Sequence, residues 1–153
     1  MPPDGPVAEF NMGRLLHDWD DPRVSGFVAG LDRVNRLAAA SPGFLWRMPD
    51  EAMEAAQLGP PLNDGRVAST LSVWRSVADL RRFVHEGLHR AFMARASRWF
   101  EPHDGPAYVI WPVRETGRPR VREGLARLDR LREHGPSAQA FDFAWIESQR
   151  GAE

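Results

Sequence analysis

The chain has 153 residues, about one domain, with 42% hydrophobic and 27% charged residues, the balance of an ordinary globular protein. Its net charge of -1 sets up no global field toward nucleic acid or an anionic membrane. Cysteine is absent and all basic residues are arginine, which removes disulfides, thiolate ligands, cysteine nucleophiles and lysine Schiff bases. We read the arginine bias as GC-rich coding. The opening stretch MPPDGPVAEF is not a secretory signal, and no apolar run approaches the roughly 20 residues of a membrane span. The expectation is a soluble, cytoplasmic protein with one domain over 1-153, a loose tail at 1-6, and a C-terminal helix and extension at 118-153.

In chain order, VAEFNMGRL (7-15) alternates as a strand, with Val7, Glu9 and Asn11 on one side and Ala8, Phe10 and Met12 on the other. Residues 20-41 read as a helix: Asp21 caps it, Pro22 opens it, and Val24, Phe27, Val28, Leu31, Val34, Leu37 and Ala38 recur at helical spacing. GFLWRM (43-48) is a short strand with Phe44, Trp46 and Met48 on one face. A long connection over 49-65 follows, with a turn of helix at EAMEAAQ. RVASTLSVW (66-74) is the clearest strand. SVADLRRFVHEGLHRAFMARASRWF (76-100) is helical, opened by Ser76 and Asp79 in a capping-box arrangement. PAYVIWPVR (106-114) is a fourth strand that Pro112 assigns to an edge, a strand end or a bulge. Residues 118-135 form a third amphipathic helix with Val121, Leu125, Leu128 and Leu131 inward, and the last stretch docks as an extended segment.

The order β-α-β-β-α-β plus an extra helix is that of the ferredoxin-like split βαβ fold: α+β, with a four-stranded antiparallel sheet and two helices on one face. The strands are apolar or small on both faces. Helices covering one face leave the other to be covered, so a homodimer through sheet packing is expected.

The run LSVWRSVADLRRFVHEGLHRAFMARASRWF resembles the middle of a bacterial family catalogued as a domain of unknown function. Supporting stretches are VAEFNMGRL, DDPRVSGFVAGLDRVNRLAAASPGFLWRM and RPRVREGLARLDRLREHGPSAQAFDF, so the likeness spans about residues 6-143. That family is placed in the dimeric α+β barrel superfamily, with the antibiotic-biosynthesis monooxygenase-like proteins. The resemblance implies a dimer and a small-molecule pocket between sheet and helices. Activities in the superfamily range from cofactor-independent monooxygenases and polyketide cyclases to haem-degrading enzymes and ligand-binding proteins, and fold alone does not choose among them.

One short motif competes with this reading. HEGLH at 85-89 is literally the H-E-x-x-H pattern, in which two histidines one helical turn apart bind zinc. The third ligand is missing, because Phe92 and Arg95 occupy the metzincin positions and Glu101, His103 and Asp104 lie at no recognised spacing. Gly87 also weakens the helix and is placed to break it. No metal is therefore expected. His85 and His89 fall at one border of the helix's apolar arc, either as a half-exposed polar edge or as a pocket rim. The resemblance favours His89 for a site.

The haem-degrading relatives use an Asn on the first strand with a Trp and a His on the second helix. Asn11 matches, but Phe83 and Met93 stand at the other two positions. The expectation is no cofactor, with haem as the alternative. Cofactor-free chemistry needs only an aromatic pocket with a few polar groups. Candidate rings are Trp46, Trp74, Phe92 and Trp111, with Arg47 and Ser72 as substrate-binding handles and Asn11, His89 and His85 as catalytic groups. The same rings serve equally as core and interface. The six arginines between 118 and 134 have no interleaved aromatics and read as a solvated face, so no nucleic-acid or membrane partner is expected. The leading reading is an enzyme of the monooxygenase or cyclase kind acting on an aromatic or polycyclic metabolite. A non-catalytic ligand-binding or structural dimer is the competing one.

Overall fold

The computed structural model describes residues 3-151, Leu88 and Gly151 by their backbone alone; the first two residues of the expected tail lie outside the described residues. The strands are β1 (Val7–Arg14), β2 (Phe44–Arg47), β3 (Val67–Trp74) and β4 (Tyr108–Pro112). The helices are α1 (Ser25–Ala39), α2 (Asp50–Ala56), α3 (Val77–His85), α4 (Gly87–Met93), α5 (Val121–His134) and α6 (Phe143–Gly151). The sheet is antiparallel in the order β2-β3-β1-β4, the ferredoxin-like arrangement. β1 runs through the middle, pairing Glu9 with Ser72 and Ile110, and Asn11 with Thr70 and Tyr108.

Local signals set the helix starts. The Asp21 carboxylate accepts from the Arg23 amide and caps a 3-10 turn, Pro22–Val24, that leads into α1. The Ser76 hydroxyl accepts from the Asp79 amide and opens α3. α5 ends at Gly135, whose φ of +76° suits glycine.

The expected helix over 76-100 is broken. α3 stops at His85, Glu86 is extended at φ -123° and ψ 153°, and Gly87 starts α4 at φ +61°. Only glycine takes that conformation without strain. A further 3-10 turn at Ala96–Arg98 follows α4.

Two other expectations are corrected. β2 carries a bulge between Phe44 and Trp46, so Phe44 opposes Trp74, Trp46 opposes Val73, and Arg47 opposes Ser72. The inserted residue flips the alternation, putting Phe44 and Arg47 on one face and Trp46 on the other. The second sheet face is not left to a partner alone. α5 crosses it, burying Val121, Leu128 and Leu131 against Phe10, Val109 and Trp111, and Met53 of α2 and Leu62 join that core. The chain returns across the second face after β4, so helices lie on both faces and not on one alone.

α1, α3 and α4 cover the first face through two separate clusters. One groups Val7, Trp74, Leu80, Ile110, Phe141 and Ile146; the other groups Leu15, Val24, Phe27 and Trp99. β4 is an edge strand with Pro112 at its end, as expected, and its free edge is partly closed by Phe141. Ile110 and Phe141 exchange backbone hydrogen bonds of 2.8 and 2.9 Å. α6, a helix not anticipated, follows from a cap: the Asp142 carboxylate accepts from the Trp145 amide.

α5 lies so close to the sheet that a Cβ on Gly124 meets Phe10 Cγ at 2.7 Å and Phe10 Cβ at 2.9 Å. These atoms are the root of a wholly buried side chain and have nowhere to swing. Gly124→Val is therefore expected to lower the free energy of unfolding by about 2 kcal/mol despite its better helix propensity, read by urea denaturation.

Candidate active site

Over the first sheet face, beneath the helices, lies a cavity of about 1330 Å³ whose lining also runs past β2 to Met12, Met53, Gln57 and Ser69 beside α2. Its floor follows from strand alternation and register. One row across the sheet is Phe44, Trp74 and Val7; the next is Arg47, Ser72, Glu9 and Ile110; the next is Thr70, Asn11 and Tyr108, with Val7 and Ile110 covered by the core that Phe141 and Ile146 complete. α1 closes it with Phe27, Leu31 and Val34, α3 with Leu80, Phe83 and Val84, and α4 with His89, Phe92 and Met93.

Most of the candidate residues come together here. Asn11, Arg47, Ser72, Trp74, His85, His89 and Phe92 all line the cavity. Trp46 and Trp111 do not. Alternation turns both to the opposite face, where they pack in the core under α5, and the Arg118 guanidinium sits 5.5 Å above the Trp46 ring.

Asn11 is tightly held. Its amide nitrogen donates to Glu9 Oε1 at 2.8 Å and to Thr70 Oγ1 at 2.6 Å. Burial pushes the Glu9 carboxyl up to about 7, against the lowering effect of the Asn11 hydrogen bond. Tyr108 is also pushed up to about 12, chiefly by burial, and its hydroxyl accepts from the Phe143 amide at 3.0 Å.

Trp74 forms the aromatic end of the floor. It stacks on Phe83 at 5.1 Å, meets Phe44 edge-on at 5.5 Å, and donates its indole N–H to the Ser72 hydroxyl at 3.1 Å. Arg47 turns its guanidinium to Asp50 at 3.0 Å and to the Met48 carbonyl. Phe92 belongs equally to the other end, packing on Phe27 and Trp99 at 5.7 and 4.9 Å.

The histidines part company at the helix break. His89 Nδ1 lies 3.2 Å from the Val84 carbonyl, which accepts only, so Nδ1 carries the proton and Nε2 is the free lone pair. Burial first, and His85 after it, hold its pKa below the ordinary value, so it is neutral at pH 7. His85 is exposed at the mouth, its ring 4.8 Å from Phe143. The extended Glu86 between them abolishes the single helical face that H-E-x-x-H chemistry needs. Among the described residues no three His, Asp or Glu side chains cluster as a metal would require.

Glu9, Thr70, Phe83, Tyr108 and Phe143 were not among the candidates. Glu9 had a signal, since an acid on the same strand face as Asn11 must share its environment. Phe143 had none, because it arrives from a helix far along the chain.

Fold and site together define a ferredoxin-like α+β protein with an aromatic-walled cavity over a polar sheet floor. The chain belongs to the family described as domain of unknown function DUF3291, whose model matches residues 6–153. No curated protein matches it. Among solved structures it is similar to SnoaB, a cofactor-independent oxygenase from Streptomyces nogalater, at 12% identity and a TM-score of 0.48, over 73% of this chain and 96% of that one. No helix among the described residues is long and apolar enough to cross a membrane.

The Glu9 carboxyl makes stability depend on pH. Folded, the protein holds this proton more tightly than the unfolded chain, whose value is 4.5. The associated stability is complete below that pH and is lost as the pH rises through about 7. Between pH 4.5 and 8, wild type should therefore lose about 3 kcal/mol relative to Glu9→Gln, measured by urea denaturation of both across the range.

Proposed function

We propose that this chain is an enzyme of the cofactor-independent monooxygenase or cyclase kind, acting on an aromatic or polycyclic metabolite in the cavity over the sheet. One observation carries the reading: a large space in which the Trp74–Phe83 stack faces the hydrogen-bonded polar group Glu9–Asn11–Thr70. Rings supply binding area for a flat apolar ligand, and the polar floor supplies the few groups that orient it and move a proton. Asn11 and His89 are the proposed proton-handling and orienting residues, with His85 at the mouth. Arg47, Ser72, Trp74 and Phe92 contact the ligand. The reading uses no cofactor.

We further propose a homodimer through the second sheet face. Its support is that Met12, Leu45, Trp46, Val113 and Leu125 stay only partly covered there. Sedimentation should give twice the 17.3 kDa chain mass, and a monomer mass at high micromolar concentration overturns this part.

The probe for the site is 1,8-dihydroxyanthraquinone, followed by quenching of tryptophan fluorescence. It should bind one per chain, and Phe83→Leu should weaken it about tenfold by removing the ring that stacks on Trp74. Under air, 1,8-dihydroxyanthrone should be converted faster than its spontaneous oxidation. One dioxygen is consumed per anthrone, one oxygen atom entering the new ring carbonyl and the other leaving as water. Binding without acceleration of this reaction or of an intramolecular aldol cyclisation assigns the chain to the non-catalytic ligand binders, and no binding overturns the polycyclic ligand.

A further inference from the structure

Glu9 is hard to explain as a structural residue. It stands half-buried in the inner strand β1, facing the cavity, with apolar Val7 and Ile110 and polar Ser72 and Asn11 at the neighbouring positions. Among the described residues no arginine or histidine pairs with it; its hydrogen-bond partner is the Asn11 amide. A carboxyl placed this way destabilises the fold relative to Val or Thr, and such a cost at a cavity wall marks chemistry more often than packing.

We propose that Glu9 is the general base of this site, that Asn11 is its positioning residue, and that the substrate is a carbon acid. By carbon acid we mean an apolar ring system bearing a C–H activated by an adjacent carbonyl or aryl group. The inference rests on the cavity being a reaction chamber, as proposed above. It adds which atom takes the proton and what kind of molecule gives it.

The geometry sets the division of labour. Asn11 Nδ2 engages Glu9 Oε1, and Thr70 Oγ1 engages the same nitrogen, so the amide cannot rotate without losing both. Oε1 is thereby pinned, and Oε2 makes no hydrogen bond to any described residue. A substrate lying on the floor between Trp74 and Tyr108 presents its C–H to that oxygen. The C–H bond breaks, the proton goes to Oε2, and the electron pair delocalises into the carbonyl as an enolate. This one step serves both chemistries. The enolate carbon attacks a second carbonyl of the same molecule in a cyclisation, or passes one electron to dioxygen and then joins the superoxide so formed, giving a peroxide that takes up the proton and loses water to leave a carbonyl. Glu9 then returns its proton to product oxygen.

A base works best with a proton affinity near the working pH, and burial has moved Glu9 into that range. The charged or titratable groups that line the cavity with it are Arg14 from β1, Arg47 from β2, Asp50 and Glu54 from α2, Tyr108 from β4, His85 from α3, His89 and Arg90 from α4, and Glu101 and His103 from the connection before β4; the wall residues from α1 and β3 carry none. Tyr108 stays neutral through the physiological range, since burial pushes it up to about 12. His89 is neutral there too.

The test is elimination of 5-nitrobenzisoxazole, a flat aromatic carbon acid. A base removes its C–H proton, the electron pair forms the nitrile, and the N–O bond breaks to a coloured phenolate. Wild type should accelerate this over the urea-unfolded chain, with a rate that rises with pH through a midpoint near 7. Glu9→Gln, shown folded by circular dichroism, should fall about 100-fold. Asn11→Leu removes a bond that favours the carboxylate, so its midpoint should move to higher pH. A Glu9→Gln protein that keeps the rate, or wild type no faster than the unfolded chain, overturns Glu9 as base. An unmoved midpoint in Asn11→Leu overturns the positioning role. The anthraquinone keeps the two readings apart: binding with Glu9-independent elimination sinks this inference alone. Glu9-dependent elimination without anthraquinone binding sinks the polycyclic reading alone.

Discussion

The register of β1 between β3 and β4 is the constraint on which the rest depends. Side chains alternate across a sheet, so pairing Glu9 with Ser72 and Ile110 decides both faces at once. Glu9 and Asn11 look into the cavity; Ala8 and Phe10 look into the core beneath α5. A slip of one residue would press a carboxylate against Gly124 and put Phe10 where the polar floor is. The close approach of α5 to Phe10 enforces this register from one side. The Asn11–Thr70 hydrogen bond enforces it from the other.

An open space over a sheet needs its own explanation, because interiors pack densely. Here the helix layer touches the sheet at two places. At the Val7 end the contact is built from Trp74, Phe44, Phe83 and Leu80; at the Leu15 end it is built from Phe27, Trp99 and Phe100. Large rings at both ends hold the helices off, and the middle carries small or polar side chains, Thr70, Asn11 and Gly13, that cannot fill the gap. The break at Gly87 contributes by turning α4 away from the line of α3, which brings His89 back against the Val84 carbonyl and Phe92 against Phe27. The C-terminal segment finishes the enclosure. Phe141 pairs with the edge of β4, Phe143 meets Tyr108 and His85, and Arg81 of α3 forms an ion pair with Glu147 of α6.

Much of the floor was legible before the fold was known. Alternation along VAEFNMGRL put Glu9 beside Asn11, and the capping residues Asp21 and Ser76 located two helix starts correctly. The errors have specific physical sources. The bulge in β2 leaves no mark in GFLWRM, because an extra residue changes which way side chains point without changing which residues are there. Trp111 follows the alternation of its strand faithfully, but alternation does not say which of two apolar faces meets α5 and which meets the cavity. For HEGLH, Gly87 signalled a break, yet a glycine inside a helical pattern is also compatible with a continuous helix.

Hydrophobic periodicity and turn chemistry act over a few residues. The sequence by itself therefore determined the four strands, the helices α1 and α5 and the start of α3, the ferredoxin-like topology their order implies, and the sharing of one strand face by Glu9 and Asn11. Contacts between residues far apart in the chain decided the rest. The tertiary structure chose which sheet face became a packed core and which a chamber, sent Trp46 and Trp111 to the former, brought Phe143 to the latter, and left Glu9 buried enough to hold its proton near neutral pH. Desolvation is a property of everything that surrounds a group, and no short stretch of sequence contains it.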